Sequence, residues 1–177
     1  FDVNLLHGVT ASGKTEIYIK LLEQYIKEGK QVLFLLPEIA LTTQLVQRLT
    51  AYFGNEVAVF HSKYTNNERI EVWNQVLENS PKAKVVIGVR SALFLPFSNL
   101  GCIIVDEEHE QTFKQHDPAP RYHARDAAIV LAKQHGAKVV LGSATPSLET
   151  YYNVQSNKYG LTELKVRYGN VVLPEIQ

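Results

Sequence analysis

The chain has 177 residues, and its 18 Lys and Arg balance 18 Asp and Glu, so its formal net charge is zero. An apolar content of 45% suits a globular domain with a full core, and the neutral charge excludes a uniformly basic surface for nucleic acid, so any polyanion site must be local. Its single cysteine, Cys102, excludes an internal disulfide and a multi-cysteine metal site. No apolar stretch approaches the ~20 residues of a membrane helix, and no signal segment opens the chain, so the sequence predicts a cytoplasmic protein without a membrane partner.

Short apolar runs alternate with segments of helical apolar spacing along the chain. The runs predict strands at 3–7, 32–36, 57–60, 85–88, 102–105 and 139–141, and one or two more beyond residue 158. The helical spacing predicts helices at 16–28, 40–53, 66–77, 124–134 and 147–155. Asn66 or Asn67 would cap the third helix, which carries Ile70, Trp73 and Leu77 on one side. Residues 110–122 predict a long loop. This alternation is typical of an α/β fold in three layers, with a doubly wound, mostly parallel sheet and helices on both faces.

The first predicted strand leads into a segment with the pattern Gly, four residues, Gly-Lys-Thr, which is typical of a phosphate-binding loop. The segment consists of Gly8, Val9, Thr10, Ala11, Ser12, Gly13, Lys14 and Thr15. Its glycines let backbone N–H groups lie against phosphate oxygens, Lys14 can reach the β- and γ-phosphates, and the Thr15 hydroxyl can ligate Mg²⁺. A flexible turn that matches by chance is the alternative. The strand before the loop and the helix after it favour a nucleotide site.

A pair of carboxylates follows the apolar run 102–105. Asp106 would hold Mg²⁺ together with Thr15, and Glu107 would orient and deprotonate an attacking water. The alternative is a solvated acidic turn. Glu108 and Glu110 would point to solvent or make structural ion pairs. Because the carboxyl ends of parallel strands share one edge of a sheet, we expect the acid pair and the phosphate loop to converge there.

His109 has two interpretations. It could satisfy the hydrogen bonds of its own loop, or it could bond to a neighbouring strand end and sense the γ-phosphate, with the Ser143 and Thr145 hydroxyls as suitable partners. A zinc site is a third interpretation, but His116 and His123 have no ligand spacing with thiols.

The motifs together resemble motifs I, Ia, Ib, II and III of superfamily 2 helicases, in the correct order. The matching segments are 8–15, 36–42, 88–92, 106–109 and 142–146. The amino-acid sequences of segments 8–16, 36–42, 90–96 and 121–126 more specifically resemble those of the replication-restart DNA helicases in that superfamily. Ala11 departs from the family, in which Gly is common at that position, and a positive φ there would be a mild warning.

The resemblance implies that residues 1–177 form a P-loop, RecA-like first motor lobe, cut from a longer 3′→5′ DNA helicase that acts in replication restart and primosome assembly. ATP and Mg²⁺ would be its cofactors, with Lys14, Asp106 and Glu107 catalytic. Ser143 and Thr145, with His109, would couple hydrolysis to DNA. The second lobe, the zinc-binding cysteines and the fork-binding domain would lie elsewhere in the complete protein. We therefore expect this chain alone to be nearly inactive as an ATPase.

DNA contacts are also implied by the resemblance. The residues expected to face the DNA backbone are Thr42, Gln44, Arg90 and Ser91. The loop at 110–125 is similar to an aromatic-rich loop that reports bound single-stranded DNA to the ATP site. Its rings and cations are Phe113, Lys114, His116, Arg121, Tyr122 and His123. Surface packing over the sheet is the alternative for this loop. The expected partners are single-stranded and forked DNA and, for the complete protein, replication-restart proteins.

Three other functions stay open. Another superfamily 2 translocase, acting on RNA or duplex DNA, would share motifs I to III. A P-loop kinase or metabolic ATPase would need an acceptor pocket and gives no reason for motifs Ia, Ib and III. A nucleotide-gated docking module would not need Glu107 beside Asp106.

Overall fold

The computed structural model describes residues 2–38, 43–61 and 64–166. The strands are β1 (Val3–Gly8), β2 (Gln31–Leu35), β3 (Val57–Phe60), β4 (Val85–Gly88), β5 (Leu100–Asp106), β6 (Lys138–Ser143) and β7 (Gly160–Leu164). The helices are α1 (Lys14–Lys27), α2 (Thr43–Phe53), α3 (Asn66–Leu77), α4 (Ala124–His135) and α5 (Leu148–Gln155). Within the described ranges each element predicted from the sequence is present, with ends displaced by a few residues.

The strands form one sheet in the order β3-β4-β2-β5-β6-β1-β7, and every pairing among them is parallel. The predicted α/β class with a parallel sheet and helices on both faces is confirmed. Because β1 lies between β6 and β7, the chain must cross β6 and β5 to reach β2. In this register His7 pairs with Ser143, and Gly142 pairs with Asp106. The ends of β1, β6 and β5 are therefore neighbours at one edge.

Helices cover both faces of the sheet. On β2, Val32 and Phe34 pack into a core shared with α1 and α2, whereas Leu33 and Leu35 pack into a core shared with α3 and α4. This alternation follows from the two-residue period of a strand, and it leaves β2 buried on both sides. None of the helices in the described part of the chain could span a lipid bilayer.

Helix α3 differs from its prediction in its cap and in its buried side. Thr65, rather than Asn66 or Asn67, is the N-cap: its side chain accepts from the Glu68 N–H, and the Glu68 carboxylate accepts from the Thr65 N–H at 2.7 Å. This capping box satisfies two helix-end donors. The core contacts come from Val72 and Val76, while Ile70, Trp73 and Leu77 are exposed.

Candidate functional site

The loop between β1 and α1 has the backbone of an anion cradle. Ala11 and Gly13 have positive φ values of 62° and 91°, and α1 begins at Lys14 directly after them. No side chain among the described residues caps this helix end, so its first N–H groups face the loop. Free N–H groups at a helix N-terminus attract phosphate or carboxylate. The sequence left the sign of φ at Ala11 open, and the positive value is the less favourable one for a residue with a Cβ.

Lys14 folds across the loop. Its Nζ donates to the Gly8 carbonyl at 2.8 Å. A Cβ at Gly8 would lie only 2.6 Å from Ser12 Oγ and 3.1 Å from Lys14 Cγ, and this crowding favours glycine there. Ser12 Oγ is itself buried and has no hydrogen-bond partner among the described residues. An unpartnered buried hydroxyl inside a phosphate loop suits a polar ligand.

A cavity of about 660 Å³ opens beside the loop. Its lining includes Ala11, Gly13 and Thr15 from the loop and the start of α1, and Arg48 from α2. Arg48 forms an ion pair with Glu16 at the cavity wall. Ligand pockets in proteins have volumes of roughly 300–1,000 Å³, so the space suits a nucleotide.

The acid pair lies beside α1. Asp106 ends β5, and its Oδ1 accepts a 2.8 Å hydrogen bond from Tyr18, one turn beyond Lys14. Gly142 lies on β6, opposite Asp106 on the neighbouring strand β5. A Cβ at Gly142 would clash with the Tyr18 hydroxyl, so glycine makes the Tyr18–Asp106 hydrogen bond possible. Sequence reasoning assigned Tyr18 only to an apolar helix stripe. Its position four residues after the loop lysine is the signal that could have found it.

Both acids have raised pKa values. Burial raises the pKa of Asp106, although the Tyr18 hydroxyl and Lys14 act in the opposite direction. Burial and the Asp106 carboxylate together raise the pKa of Glu107. Glu107 also has a positive φ of 51°, a conformation that non-glycine residues rarely adopt. Perturbed acids and unusual backbone in one cleft favour a functional site.

His109 connects the acid pair to the end of β6. Its Nδ1 lies 2.8 Å from Ser143 Oγ, and its Nε2 lies 3.3 Å from Thr145 Oγ1. The Thr145 N–H donates to Ser143 Oγ at 2.9 Å. The contact with a neighbouring strand end that the sequence suggested is therefore present, and its coupling role stays a prediction.

Glu108 makes an ion pair, which is one of the two outcomes that the sequence left open. Its side chain is fully buried, and its Oε2 lies 3.0 Å from an Arg125 nitrogen. Ser147 and Thr150 complete the cluster. Sequence reasoning did not single out these three partners. An arginine at the start of an otherwise apolar helix face was the signal, because such a charge needs a buried partner.

The residues expected to contact DNA differ in how far the structure exposes them. Thr42 lies outside the described residues. Gln44 is exposed on α2, and Arg90 and Ser91 are partly buried in the turn after β4. Arg90 donates to the Lys114 carbonyl at 2.9 Å. The turn after β4 is thereby joined to the loop at 110–122.

One expectation about that loop is wrong. Phe113 is completely buried in the core shared with α4, so its ring cannot stack on a base. Tyr122 is partly buried, with its ring edge-to-face on Phe94 at 5.2 Å between centroids. Phe113 is therefore a core residue, and a DNA contact by the partly buried Tyr122 stays a prediction.

Polar side chains of the loop donate hydrogen bonds to backbone carbonyls of the same loop. Lys114 Nζ donates to the Arg121 carbonyl and Arg121 Nε donates to the His116 carbonyl, each at 2.8 Å. Lys114 and His123 close the loop through an antiparallel bridge. Burial and the nearby Arg125 lower the pKa of His123 and so favour its neutral form. Arg121 is exposed and Lys114 is partly buried, and contact of these cations with DNA stays a prediction.

The donor set around the loop fits Mg²⁺ bound with a phosphate ligand. Within the described ranges, no three His, Cys, Asp or Glu side chains cluster to hold a metal alone. Mg²⁺ commonly takes one or two protein oxygens and completes its shell with phosphate and water. The Thr15 hydroxyl and the Asp106 carboxylate would supply the protein oxygens.

Fold and site together define a nucleotide-binding helicase domain. The sequence profile of the DEAD/DEAH box helicases matches residues 2–154, and the chain belongs to that family. Membership of a helicase family indicates the use of a nucleotide and Mg²⁺ in general.

The similar curated proteins are more specific. The chain is 48% identical to replication restart protein PriA of Bacillus subtilis over 174 residues, and 54% identical to PriA of Haemophilus influenzae over 170. These alignments cover 98% and 96% of the chain but 21% and 23% of the relatives, so the chain spans about a fifth of their length.

Solved structures show the same fold. RecG bound to a three-way DNA junction matches 98% of the chain and 21% of that protein, with a TM-score of 0.64 and 21% identity. Domain 2 of the DEAD-box helicase Mss116p bound to an RNA duplex matches 97% of the chain and 65% of that one, with a TM-score of 0.65 and 14% identity. The architecture is therefore that of RecA-like helicase domains.

Proposed function

We propose that this chain is the ATP-binding motor lobe of a 3′→5′ DNA helicase that acts in replication restart and primosome assembly. The observation that carries the proposal is the hydrogen bond from Tyr18 to Asp106, which brings the acid pair beside the phosphate loop. The similarity to PriA proteins over nearly the whole chain supports the choice of pathway.

The proposed chemistry is hydrolysis of the terminal phosphate of ATP. Lys14 and the N–H groups at the start of α1 hold the phosphates, and Lys14 gives up its bond to the Gly8 carbonyl to reach them. When bound, Mg²⁺ would neutralise charge that develops on the phosphate oxygens. Glu107 orients the attacking water and accepts its proton, for which a carboxyl group with a raised pKa is suited.

Coupling to DNA would run through the end of β6. His109 lies beside Glu107, with its Nδ1 3.8 Å from the Glu107 carboxylate, and it contacts the hydroxyls of both Ser143 and Thr145. A shift of the loop after β6 would therefore move His109 and change its contact with Glu107, the proposed base. The cations Arg90, Lys114 and Arg121 would bind the backbone of single-stranded or forked DNA.

Several features of the proposal belong to the complete protein. Replication-restart partners, a second motor lobe and bound zinc are proposed for parts outside this chain, and the location is proposed to be cytoplasmic. Because such motors bind ATP between two lobes, we expect weak nucleotide binding and almost no turnover from this chain alone. Steady turnover from the pure chain, abolished by Lys14→Ala, would contradict that expectation.

The test is ATP turnover by the complete protein with forked DNA, comparing wild type with Glu107→Gln. We expect the variant to lose roughly 10²–10⁴-fold in kcat, the usual contribution of a general base, while it still binds ATP. Glu78→Gln, which changes an exposed carboxylate after α3 with no proposed role, is the control and should keep the wild-type rate.

Other outcomes would point to the other functions. Retained turnover in Glu107→Gln would remove Glu107 as the base. Stimulation by RNA or duplex DNA instead of single-stranded or forked DNA would favour another superfamily 2 translocase. Turnover that ignores every nucleic acid would favour a P-loop kinase or metabolic ATPase.

A further inference from the structure

The turn that carries the acid pair contains a buried ion pair that catalysis, as proposed, does not use. The Glu108 side chain is 0% exposed and the Arg125 side chain is 9% exposed, and their closest atoms lie 3.0 Å apart. A second charge-assisted bond joins Arg125 Nε to the exposed Asp126 at 2.9 Å. Although burial alone would lower the pKa of Arg125, its bonds to Asp126 and Glu108 outweigh burial and raise it. Such a pair needs full hydrogen bonding, since each buried charge is costly when unpaired.

Glu108 receives that bonding from α5. The Ser147 N–H, at the N-cap of α5, donates to Glu108 Oε1 at 2.7 Å. The Thr150 hydroxyl donates to Glu108 Oε2 at 2.9 Å. Arg125 also donates to Ser147 Oγ at 2.6 Å. One carboxylate therefore ties together three segments that are distant in sequence: the turn after β5, the start of α4 and the start of α5.

The cluster around Glu108 directly follows Glu107, the proposed base, in the sequence. The Glu107 side chain is 36% exposed, and its positive φ of 51° places it in a strained turn. The backbone of the turn is fixed on both sides, because Glu108 N–H donates to the Gly142 carbonyl at 3.0 Å and Glu110 N–H donates to the Glu107 carbonyl at 2.9 Å. The backbone position from which the Glu107 side chain extends is therefore fixed by the turn.

We propose that Glu108 and Arg125 are positioning residues for Glu107: their buried ion pair, anchored on Ser147 and Thr150, holds the turn that aims the proposed base at the attacking water. This role rests on the proposed function, and it predicts that loss of the pair lowers the rate of hydrolysis without weakening the binding of ATP, since the phosphate loop and Tyr18 lie outside the cluster.

The first experiment measures ATP turnover of the complete protein with forked DNA. Arg125→Met should lower kcat by about 10- to 100-fold, the usual effect of losing a group that orients a reacting residue, with KM for ATP changed less than about 2-fold. Arg125→Lys should recover part of the rate, because an ammonium keeps one charge-assisted bond but loses the planar geometry. Lys133→Met, an exposed cation on the same helix, is the control and should match wild type.

A double variant separates positioning from stability. Glu108→Gln combined with Arg125→Met removes both charges and keeps an acceptor for the Ser147 N–H, so its Tm should return toward the wild-type value. If the ion pair positions Glu107, kcat stays low in the double variant even though its Tm has recovered. Recovery of kcat together with Tm would overturn the proposal, and so would an unchanged kcat in Arg125→Met.

Amide hydrogen exchange gives a readout that does not depend on activity. Arg125→Met should speed exchange in the segment 107–110 while exchange in the strand core of 102–105 stays slow. Unchanged exchange at 107–110 would overturn the proposal. Absence of any turnover from the wild type would instead overturn the proposed function, and faster exchange would then still support the anchoring of this turn.

Discussion

Two non-glycine residues at the site adopt left-handed backbone conformations, Ala11 with φ 62° and Glu107 with φ 51°. Each costs roughly 1–2 kcal/mol relative to an ordinary conformation. Both lie at the edge where β1, β5 and β6 end, so the rest of the fold must hold them in place. Strain of this kind depends on the backbone path and is invisible in the residue types.

A substitution at Asp106 should stabilise the fold at the expense of the site. Because burial raises the pKa of Asp106, the folded chain holds this proton to a higher pH than the unfolded chain. The stabilisation by the protonated form is lost as the pH rises from the usual aspartate range through the raised pKa, so the carboxylate destabilises the fold at neutral pH. Asp106→Asn stays uncharged and keeps the acceptor for Tyr18, and we expect a higher Tm at pH 7 without nucleotide.

The pH series and the ligand response check this prediction. The Tm difference between Asp106→Asn and wild type should vanish in acid and grow toward neutral pH. Mg²⁺ with ATP, at a concentration well above its Kd, should raise the Tm of wild type but not of the variant, since a ligand stabilises only the state that binds it. Asp117→Asn, an exposed aspartate, should change neither. A lower Tm for Asp106→Asn at pH 7 would contradict the burial argument.

At the scale of elements, the start of α3 offers a direct comparison between two candidate caps. Thr65→Ala removes the capping box and should cost about 1 kcal/mol. In a chain of this size, a loss of that order lowers Tm by roughly 2–4 °C. Asn67→Ala, the matched control, should leave Tm nearly unchanged. The opposite ranking in thermal unfolding would support the cap that the sequence suggested.

Period-based prediction worked for the elements because their signals are local. The apolar residues 32–35 of β2 and the C-terminal glycine of α4, Gly136 with φ 64°, can be recognised from a few consecutive residues. The loop at 110–122 has no such period. Phe113 lies in polar sequence and yet reaches the core, because α4 packs over it. Burial of a loop residue is a tertiary property.

At the scale of the whole molecule, Cys102 reports on global unfolding. It lies in β5 with 1% of its surface exposed, and burial raises its pKa to about 12. Since the thiolate is the reactive form, its fraction at pH 8 is roughly 10³-fold below that of a free cysteine. We expect a thiol reagent to label the native chain very slowly and the guanidinium-unfolded chain at once.

A matched control makes that result interpretable. Cys102→Ser combined with Ser156→Cys moves the single thiol to an exposed position after α5, where labelling should be fast in the native state. Labelling of native Cys102 as fast as this control would show that β5 opens without global unfolding.

The sequence by itself determined the order and type of the elements, the phosphate loop, the acid pair and the family resemblance, because each depends on neighbouring residues. Only the tertiary structure decided the strand order, the Tyr18 hydroxyl on Asp106, the burial of Phe113 and the ion pair of Glu108 with Arg125. Tyr18 and Asp106 are 88 positions apart, and Glu108 and Thr150 are 42 apart. Contacts at such separations are fixed by how the helices cross the sheet, and a local pattern carries no information about that path.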